Sequence, residues 1–247
     1  IICIFDKIFI MALALDFTIT QSEDCGTITL TETTGDGVGG YSDSGNPAYS
    51  AVRNTLIDFT LPNGVSVSLS KGYLPFADTS PNGTQDFVPS DFSYDKIPDG
   101  VWDVTLKVYT TDTASGALVE GVEYIVTGAG SSITYNGFTY TENETFTATV
   151  TTTYTENAAS EVNKLEASKS CTVLIYCGVR SCIRTLMLSR CQSGCDCGDD
   201  YHDAMNELII DFNSAQLAFN YQNYECANKI IERLSKMCGG ICNDCGC

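Results

Sequence analysis

An antiparallel β-sandwich followed by a small cysteine-rich domain of about three helices is the fold that the sequence predicts. Three observations predict it. Apolar residues alternate with Thr, Ser and Asp through the first two-thirds of the 247 residues, the period of strands with one buried and one wet face. Beyond residue 171 the apolar spacing changes to i, i+3, i+4, i+7, the period of amphipathic helices. Cysteine usage changes at the same place, because only Cys3 and Cys25 of the 13 cysteines precede residue 171. The expected organisation is an N-terminal extension over 1–14, the sandwich over 15–157, a linker over 158–170 and the cysteine-rich helical domain over 171–247.

The extension opens on Ile1, and its apolar run Ile8 to Leu15 follows Lys7. Ala12-Leu13-Ala14 has the small-residue pattern of a signal cleavage site, whereas Asp6 opposes the positive region such a peptide needs. A processed end or a start at Met11 are the alternatives. The run is too short to span a bilayer as a helix.

The strands follow in order. Phe17 and Ile19 alternate with Thr18 and Thr20, and Ile28 and Leu30 alternate with Thr27, Thr29 and Thr31. Ile57, Phe59 and Leu61 share one face, and Val65, Val67 and Leu69 alternate with serines. Pro62-Asn63-Gly64 between these two runs predicts a hairpin turn, since Asn and Gly accept the positive φ that tight turns require. After Pro98-Asp99-Gly100, Trp102, Val104, Leu106 and Val108 form one face. The threonine-rich stretch 145–155 reads as one long strand. Short alternating runs between Gly, Pro, Asn and Asp turns predict a sandwich, with a small barrel as the alternative. No βαβ rhythm is present, which argues against a dinucleotide-binding sheet.

Two long segments interrupt the alternation. Gly35 to Ala48 is glycine-rich and carries Tyr41-Ser42-Asp43-Ser44-Gly45-Asn46-Pro47. Tyr73 to Asp95 carries Phe76, Phe87, Phe92 and Tyr94 among prolines. Loops of this length are commonly functional, and their aromatics suit either packing over the sheet edge or contact with a neighbouring subunit. Glu156 to Glu161 reads as the solvated joint, and limited proteolysis of the free subunit is expected to cut between about residues 156 and 170.

In the last third, Cys171-Thr172-Val173-Leu174-Ile175-Tyr176-Cys177 predicts a short strand. Tyr176, Val179, Ile183, Leu186, Met187 and Arg190 predict a first helix. Met205, Leu208, Ile209, Phe212 and Leu217 predict a second over 201–220, led by Asp199-Asp200 at its positive end. Ala227, Ile230, Ile231, Leu234 and Met237 predict a third over 224–238, with Gly239-Gly240 as its stop. The short joint at Asn220-Tyr221-Gln222 makes the last two an antiparallel pair.

That hairpin returns the chain towards its start and would gather two thiol groups: Cys191, Cys195 and Cys197, then Cys238, Cys242, Cys245 and Cys247. Four thiolates in a tetrahedron would make a structural zinc site, although C-x3-C-x-C and C-x3-C-x2-C-x-C are not familiar zinc spacings. Disulfides and free thiols are the other two readings. Asp196, Asp199, Asp200 and Asp244 disfavour an unpaired thiolate cluster. Cys177, Cys182 and Cys226 read as packing residues.

Catalytic signals are sparse. His202 is the only histidine and reads as part of a solvated helix start. Cys242-Asn243-Asp244-Cys245 has C-x-x-C spacing but no βαβ context, so it is a weak redox signal. Thirteen Lys plus Arg against 31 Asp plus Glu give a net charge of -18, which opposes nucleic-acid and anionic-membrane partners. The charge is uneven: residues 1–150 hold 5 basic and 19 acidic side chains, and residues 151–247 hold 8 and 12. An enzyme is not expected.

Leu15-Asp16-Phe17-Thr18-Ile19-Thr20-Gln21-Ser22-Glu23-Asp24-Cys25 resembles the start of small virion proteins of crAss-like and related tailed bacteriophages. Tyr41 to Pro47, Leu61-Pro62-Asn63-Gly64, Ile97-Pro98-Asp99-Gly100-Val101-Trp102 and the cysteine-rich tail led by Cys171 to Cys177 are similar too. The resemblance implies a virion structural subunit of the neck or tail ring type, its sandwich an immunoglobulin-like domain repeated around the phage axis, with no catalytic residues. It would be assembled in the host cytoplasm beside copies of itself and other head–tail connector or tail proteins. The two long loops are then expected to lie against another chain. A secreted or cell-surface disulfide-stabilised immunoglobulin-like binding module is the alternative, and a thiol redox or zinc-dependent protein the third.

Overall fold

The computed structural model describes residues 15–34, 52–69, 84–111, 117–149, 152–153, 161–193 and 199–244. In chain order the strands are β1 (Asp16–Gln21), β2 (Ile28–Thr34), β3 (Val52–Thr60), β4 (Ser66–Leu69), β5 (Thr84–Phe87), β6 (Gly100–Thr111), β7 (Ala117–Leu118), β8 (Glu123–Thr127), β9 (Ser132–Tyr135), β10 (Phe138–Thr141), β11 (Thr145–Thr147), β12 (Thr152–Thr153) and β13 (Glu161–Ile175). Three helices follow: α1 (Cys177–Ser193), α2 (Asp199–Asn220) and α3 (Tyr224–Asp244). The chain is therefore an antiparallel sandwich followed by three helices, as its two periods predict.

A three-stranded sheet, ordered β1-β2-β5, faces a six-stranded sheet ordered β11-β8-β13-β6-β3-β4. Every strand pair among the described residues is antiparallel. The alternating residues meet between the sheets. Phe17, Ile28 and Leu30 from the smaller sheet pack on Ile57, Phe59, Trp102, Val104, Leu106 and Val108 from the larger. The expected hairpin joins β3 to β4: the Leu61 N–H donates to the Val65 carbonyl at 2.9 Å and Gly64 takes φ 81°.

The aromatic centre includes residues expected in a loop. Within the described part of Tyr73 to Asp95, residues 84–87 form β5 and Pro89–Phe92 form a 3₁₀ turn. Phe87 and Phe92 are buried, and their rings lie 4.9 and 5.1 Å from that of Phe59. These two aromatics are thus spent on the chain's own core. Residues 35–48 and 73–83, like the extension 1–14, lie outside the described residues.

The long strand expected over 145–155 is corrected. Its described residues form two short strands, β11 on β8 and β12 on β7, with Ala148 and Thr149 in neither. The physical reason is a change of partner at Ala148, which is buried and exchanges backbone hydrogen bonds with Gly121 and Val122. These pieces and the β9–β10 hairpin surround a second small core of Leu118, Tyr124, Val126, Ile133, Tyr135, Phe146 and Ala148. This β lobe sits in the connection between β6 and β13, which pair with each other over most of their length.

The linker expected over 158–170 is corrected as well. Residues 161–170 are the first part of β13, the longest strand of the described chain at 15 residues. Its polar appearance has a simple cause: Lys164, Ser168, Lys169 and Ser170 lie on the wet side or at the rim, while Ala167, Cys171 and Val173 pack on the core. An irregularity between Leu165 and Ala167 shifts the register and breaks the alternation that would have marked the strand. The strand runs directly into α1, so helices and sandwich are joined by ordered chain.

The helices share a core of Val179, Ile183, Leu186, Met205, Leu208, Ala215, Ile231 and Leu234. Asn223 starts α3, its side chain accepting from the Cys226 N–H at 3.3 Å, a normal capping role. The predicted stop at Gly239-Gly240 is corrected, since α3 continues to Asp244. Glycine weakens a helix by about 1 kcal/mol but keeps its N–H and carbonyl, so the ladder passes through it.

Candidate functional site

The best-defined polar constellation lies where the helices meet one end of the sandwich. Three sequence segments converge there: the end of β1 with the turn to β2, the turn into β6, and the passage from β13 to α1. Asp99, in the turn before β6, accepts from the Gly178 and Val179 N–H groups at 2.9 and 2.8 Å. It thereby caps α1 from a distant part of the chain, satisfying N–H groups that have no partner inside the helix. A Cβ on residue 178 would lie 2.6 Å from an Asp99 oxygen, so glycine is needed for this approach. Burial pushes the Asp99 carboxyl above its ordinary pKa, against the two N–H bonds that pull it down.

Other side chains strengthen the junction. The Asn228 amide oxygen of α3 accepts from the Val101 N–H. Gly100, at φ 141°, lets that contact form, since a Cβ there would meet a Pro62 side-chain carbon at 2.4 Å and Asn228 at 2.9 Å. Gln21 closes the gap between β1 and β13, accepting from the Tyr176 N–H at 3.0 Å and donating to the Leu174 carbonyl at 3.5 Å. Glu23 meets Arg180 and Arg184 at 3.3 and 3.5 Å. These exposed pairs add little energy.

Two thiols complete the junction. Cys25 is half-buried in the β1–β2 turn and Cys177 is buried at the start of α1. Both pack on the same core, each perturbs the ionisation of the other, and burial raises both thiols above their ordinary pKa. A cleft of about 480 Å³ opens between β13 and α2, lined in part by Gln21, Thr172, Tyr176, Gln216, Phe219 and Asn220. Amides and aromatic rings there can hold a polar group, but the lining offers no carboxylate, imidazole or amine for acid–base chemistry.

The predicted thiol group is rearranged. Cys238 forms a disulfide with Cys182 of α1, their Cα atoms 6.1 Å apart. This corrects two expectations: Cys182 is a bonded residue, and Cys238 is withdrawn from any thiolate set for zinc. The α2–α3 hairpin does bring the chain back, but to the first half of α1. Cys191 lies nine residues beyond Cys182, about 13 Å further along the helix axis. By backbone, Cys191 sits near the end of α1, Cys242 near the end of α3 and His202 in the first turn of α2. Cys195, Cys197, Cys245 and Cys247 lie outside the described residues. Cys177 is buried as expected and Cys226 is half-buried. Among the described residues no group of three or more His, Cys, Asp or Glu is arranged to hold a metal ion, and no helix is long and apolar enough to cross a membrane.

Sequence reading missed Asp99, Asn228 and the Cys25–Cys177 contact. Each joins residues far apart in the chain, so local spacing carries no trace of it. The one local signal was Pro98-Asp99-Gly100, a turn whose aspartate turns out to serve a helix it does not precede. No family model matches the chain, and no curated protein or solved structure is significantly similar to it.

Replacing Asp99 by alanine should remove both caps and cost about 1–2 kcal/mol. Chemical unfolding of Asp99→Ala against the parent protein measures this, with faster amide exchange expected at Gly178 and Val179. The pH sense also follows. A carboxyl whose folded pKa is raised holds its proton more tightly in the folded state, so its charged form is a penalty above that pKa. The penalty fades as pH falls towards the ordinary carboxylate value. Asp99→Ala should therefore flatten this part of the acid-side stability profile.

Proposed function

We propose that this chain is a structural subunit of a tailed bacteriophage particle, of the neck or tail ring type. On this reading it works without catalysis, through contacts with copies of itself and with neighbouring head–tail connector or tail proteins. The observation that carries the reading is an outward apolar stripe on α2, a helix packed on α1 and α3. Ile210, Leu217 and Tyr221 are 61%, 56% and 79% exposed, and their i, i+7, i+11 spacing puts them on the side of α2 opposite Leu208 and Ala215. A row of large apolar side chains facing water is the kind of surface subunits bury. Net charge is the second support. Identical chains of charge -18 repel, so apolar contacts or a basic neighbour must offset that repulsion. The resemblance of Leu15 to Cys25 and of the later segments to virion proteins supplies the particle.

Native mass against protein concentration tests this. Self-association is expected, strengthening with salt as repulsion is screened. The double substitution Ile210→Asp and Leu217→Asp should weaken it at least tenfold, because each buried aliphatic side chain contributes about 1.5–3 kcal/mol. A monomer at every concentration that also ignores candidate virion partners would defeat the proposal.

A second reading has its own support. The Cys182–Cys238 disulfide suits a secreted or cell-surface binding module, since such bonds persist in oxidising compartments. A particle released from its host also meets an oxidising medium. A stable monomer with a processed N-terminus would favour the module.

A further inference from the structure

We propose that Cys25 and Cys177 are a second disulfide site, one that closes into a covalent staple between sandwich and helices when the chain meets an external small-molecule disulfide. The inference does not depend on the particle reading, and three features of the junction carry it. First, the segments that carry the two thiols are in direct contact: Gln21 accepts from the Tyr176 N–H at 3.0 Å and Glu23 pairs with Arg180 at 3.3 Å, and both cysteines pack on the same core. Second, both carriers are held in place. Cys25 sits in a turn pinned by Asp24, which accepts from the Ser22 hydroxyl at 2.6 Å and the Gly26 N–H at 3.0 Å. Cys177 opens a helix whose first N–H groups are bound by Asp99. Third, Cys25 has φ 60°, a left-handed conformation that disfavours any residue with a Cβ. Gly or Asn would fill such a turn position more easily, so the thiol is the feature that distinguishes the residue used.

The chemistry balances as thiol–disulfide exchange. Cys25 is the more accessible thiol and reacts first. Its thiolate attacks one sulfur of the external disulfide, forming a mixed disulfide and expelling one thiolate. The Cys177 thiolate then attacks the Cys25 sulfur and expels the second. Two cysteine thiols are oxidised, the external disulfide is reduced to two thiols, and these take up the two protons. Burial and the nearby carboxylates of Asp99 and Asp24 oppose the thiolate of Cys25, while the Cys177 thiol and Arg180 act the other way. Burial, the Cys25 sulfur and Asp99 likewise oppose the thiolate of Cys177, against the Gly178 N–H. Closure is therefore slow at neutral pH and faster in alkaline buffer. Once closed, the staple and the Cys182–Cys238 bond would tie β1–β2, α1 and α3 into one covalently linked unit.

The test uses the full chain, purified with its thiols reduced and equilibrated in buffers of increasing oxidised-to-reduced glutathione ratio. Free thiols are trapped by alkylation, and peptides are mapped by mass spectrometry without reduction. The expected product is a Cys25–Cys177 linked peptide weighing the two components less two hydrogens. Its appearance should raise the thermal midpoint by roughly 5 °C or more. Cys25→Ser should abolish that peptide and that rise while leaving the Cys182–Cys238 peptide in place. Should this variant fail to fold, the map of the unsubstituted chain decides alone. Both thiols still alkylated in the most oxidising buffer, or Cys25 joined to another cysteine, would overturn the proposal.

Discussion

Replacing Phe59 by alanine should lower the unfolding free energy by about 3–5 kcal/mol, a large share of the ~5–15 kcal/mol that holds a typical domain together. Phe59 is fully buried at the centre of the sandwich. Its ring contacts Phe87 at 4.9 Å, Phe92 at 5.1 Å and Trp102 at 6.0 Å, all edge-on. Edge-to-face pairs of this kind add about 0.5–1.5 kcal/mol beyond their area. The cavity left by alanine would be lined by rings that are themselves fixed: the Trp102 indole N–H donates to the Pro98 carbonyl at 3.0 Å, and Phe92 is held by the 3₁₀ turn. Collapse into the space is thus hindered, which puts the cost at the upper part of the range. Trp102 is the only tryptophan, so its fluorescence reports unfolding of this core directly. The denaturant midpoint should fall with little change in slope. Val65→Ala, at a side chain 47% exposed, should change stability by less than about 0.5 kcal/mol. A loss below about 1 kcal/mol for Phe59→Ala would mean that the aromatic group is not the centre of the core.

What could be read in the sequence depended on the distance over which each feature is encoded. The β1, β2, β3, β4 and β6 strands were legible because each needs only its own alternation, and Trp102, Val104, Leu106 and Val108 are all fully buried as their pattern requires. The helices were legible for the same reason. β5 was hidden because Thr84–Phe87 is only four residues long and gains its identity from pairing with β2. β13 was hidden by an irregular register and by a rim of lysines and serines that looks like a linker. The threonines of 145–153 carry strand propensity but not the partner change at Ala148. The site was less legible than the fold. Two cysteine groups near the end of the chain drew attention by density, whereas the two cysteine pairs that meet join positions in different elements. Cys25 in particular is isolated in the sequence, and only the packing of β1–β2 against the start of α1 gives it a neighbour.

Removing the Cys182–Cys238 bond should cost about 4 kcal/mol, the loop-closure entropy expected for a crosslink of this span. The bond closes a separation of 56 residues that contains most of α1, all of α2 and more than half of α3. Without it the unfolded helical segment regains that freedom, while the folded helices keep only their apolar contacts: Val179, Ile183 and Leu186 against Leu208, Ile231 and Leu234. A Cys182→Ala chain should therefore melt roughly 7–14 °C lower, and Cys238→Ala should match it. The double variant should lose little more than either single one, because one bond is removed in all three. Amide exchange should quicken in α1 and α3 and stay nearly unchanged in β3 and β6, whose core lies between the sheets. Additive losses from the two single substitutions would instead assign their cost to separate packing defects and would remove the crosslink as the source of helical stability.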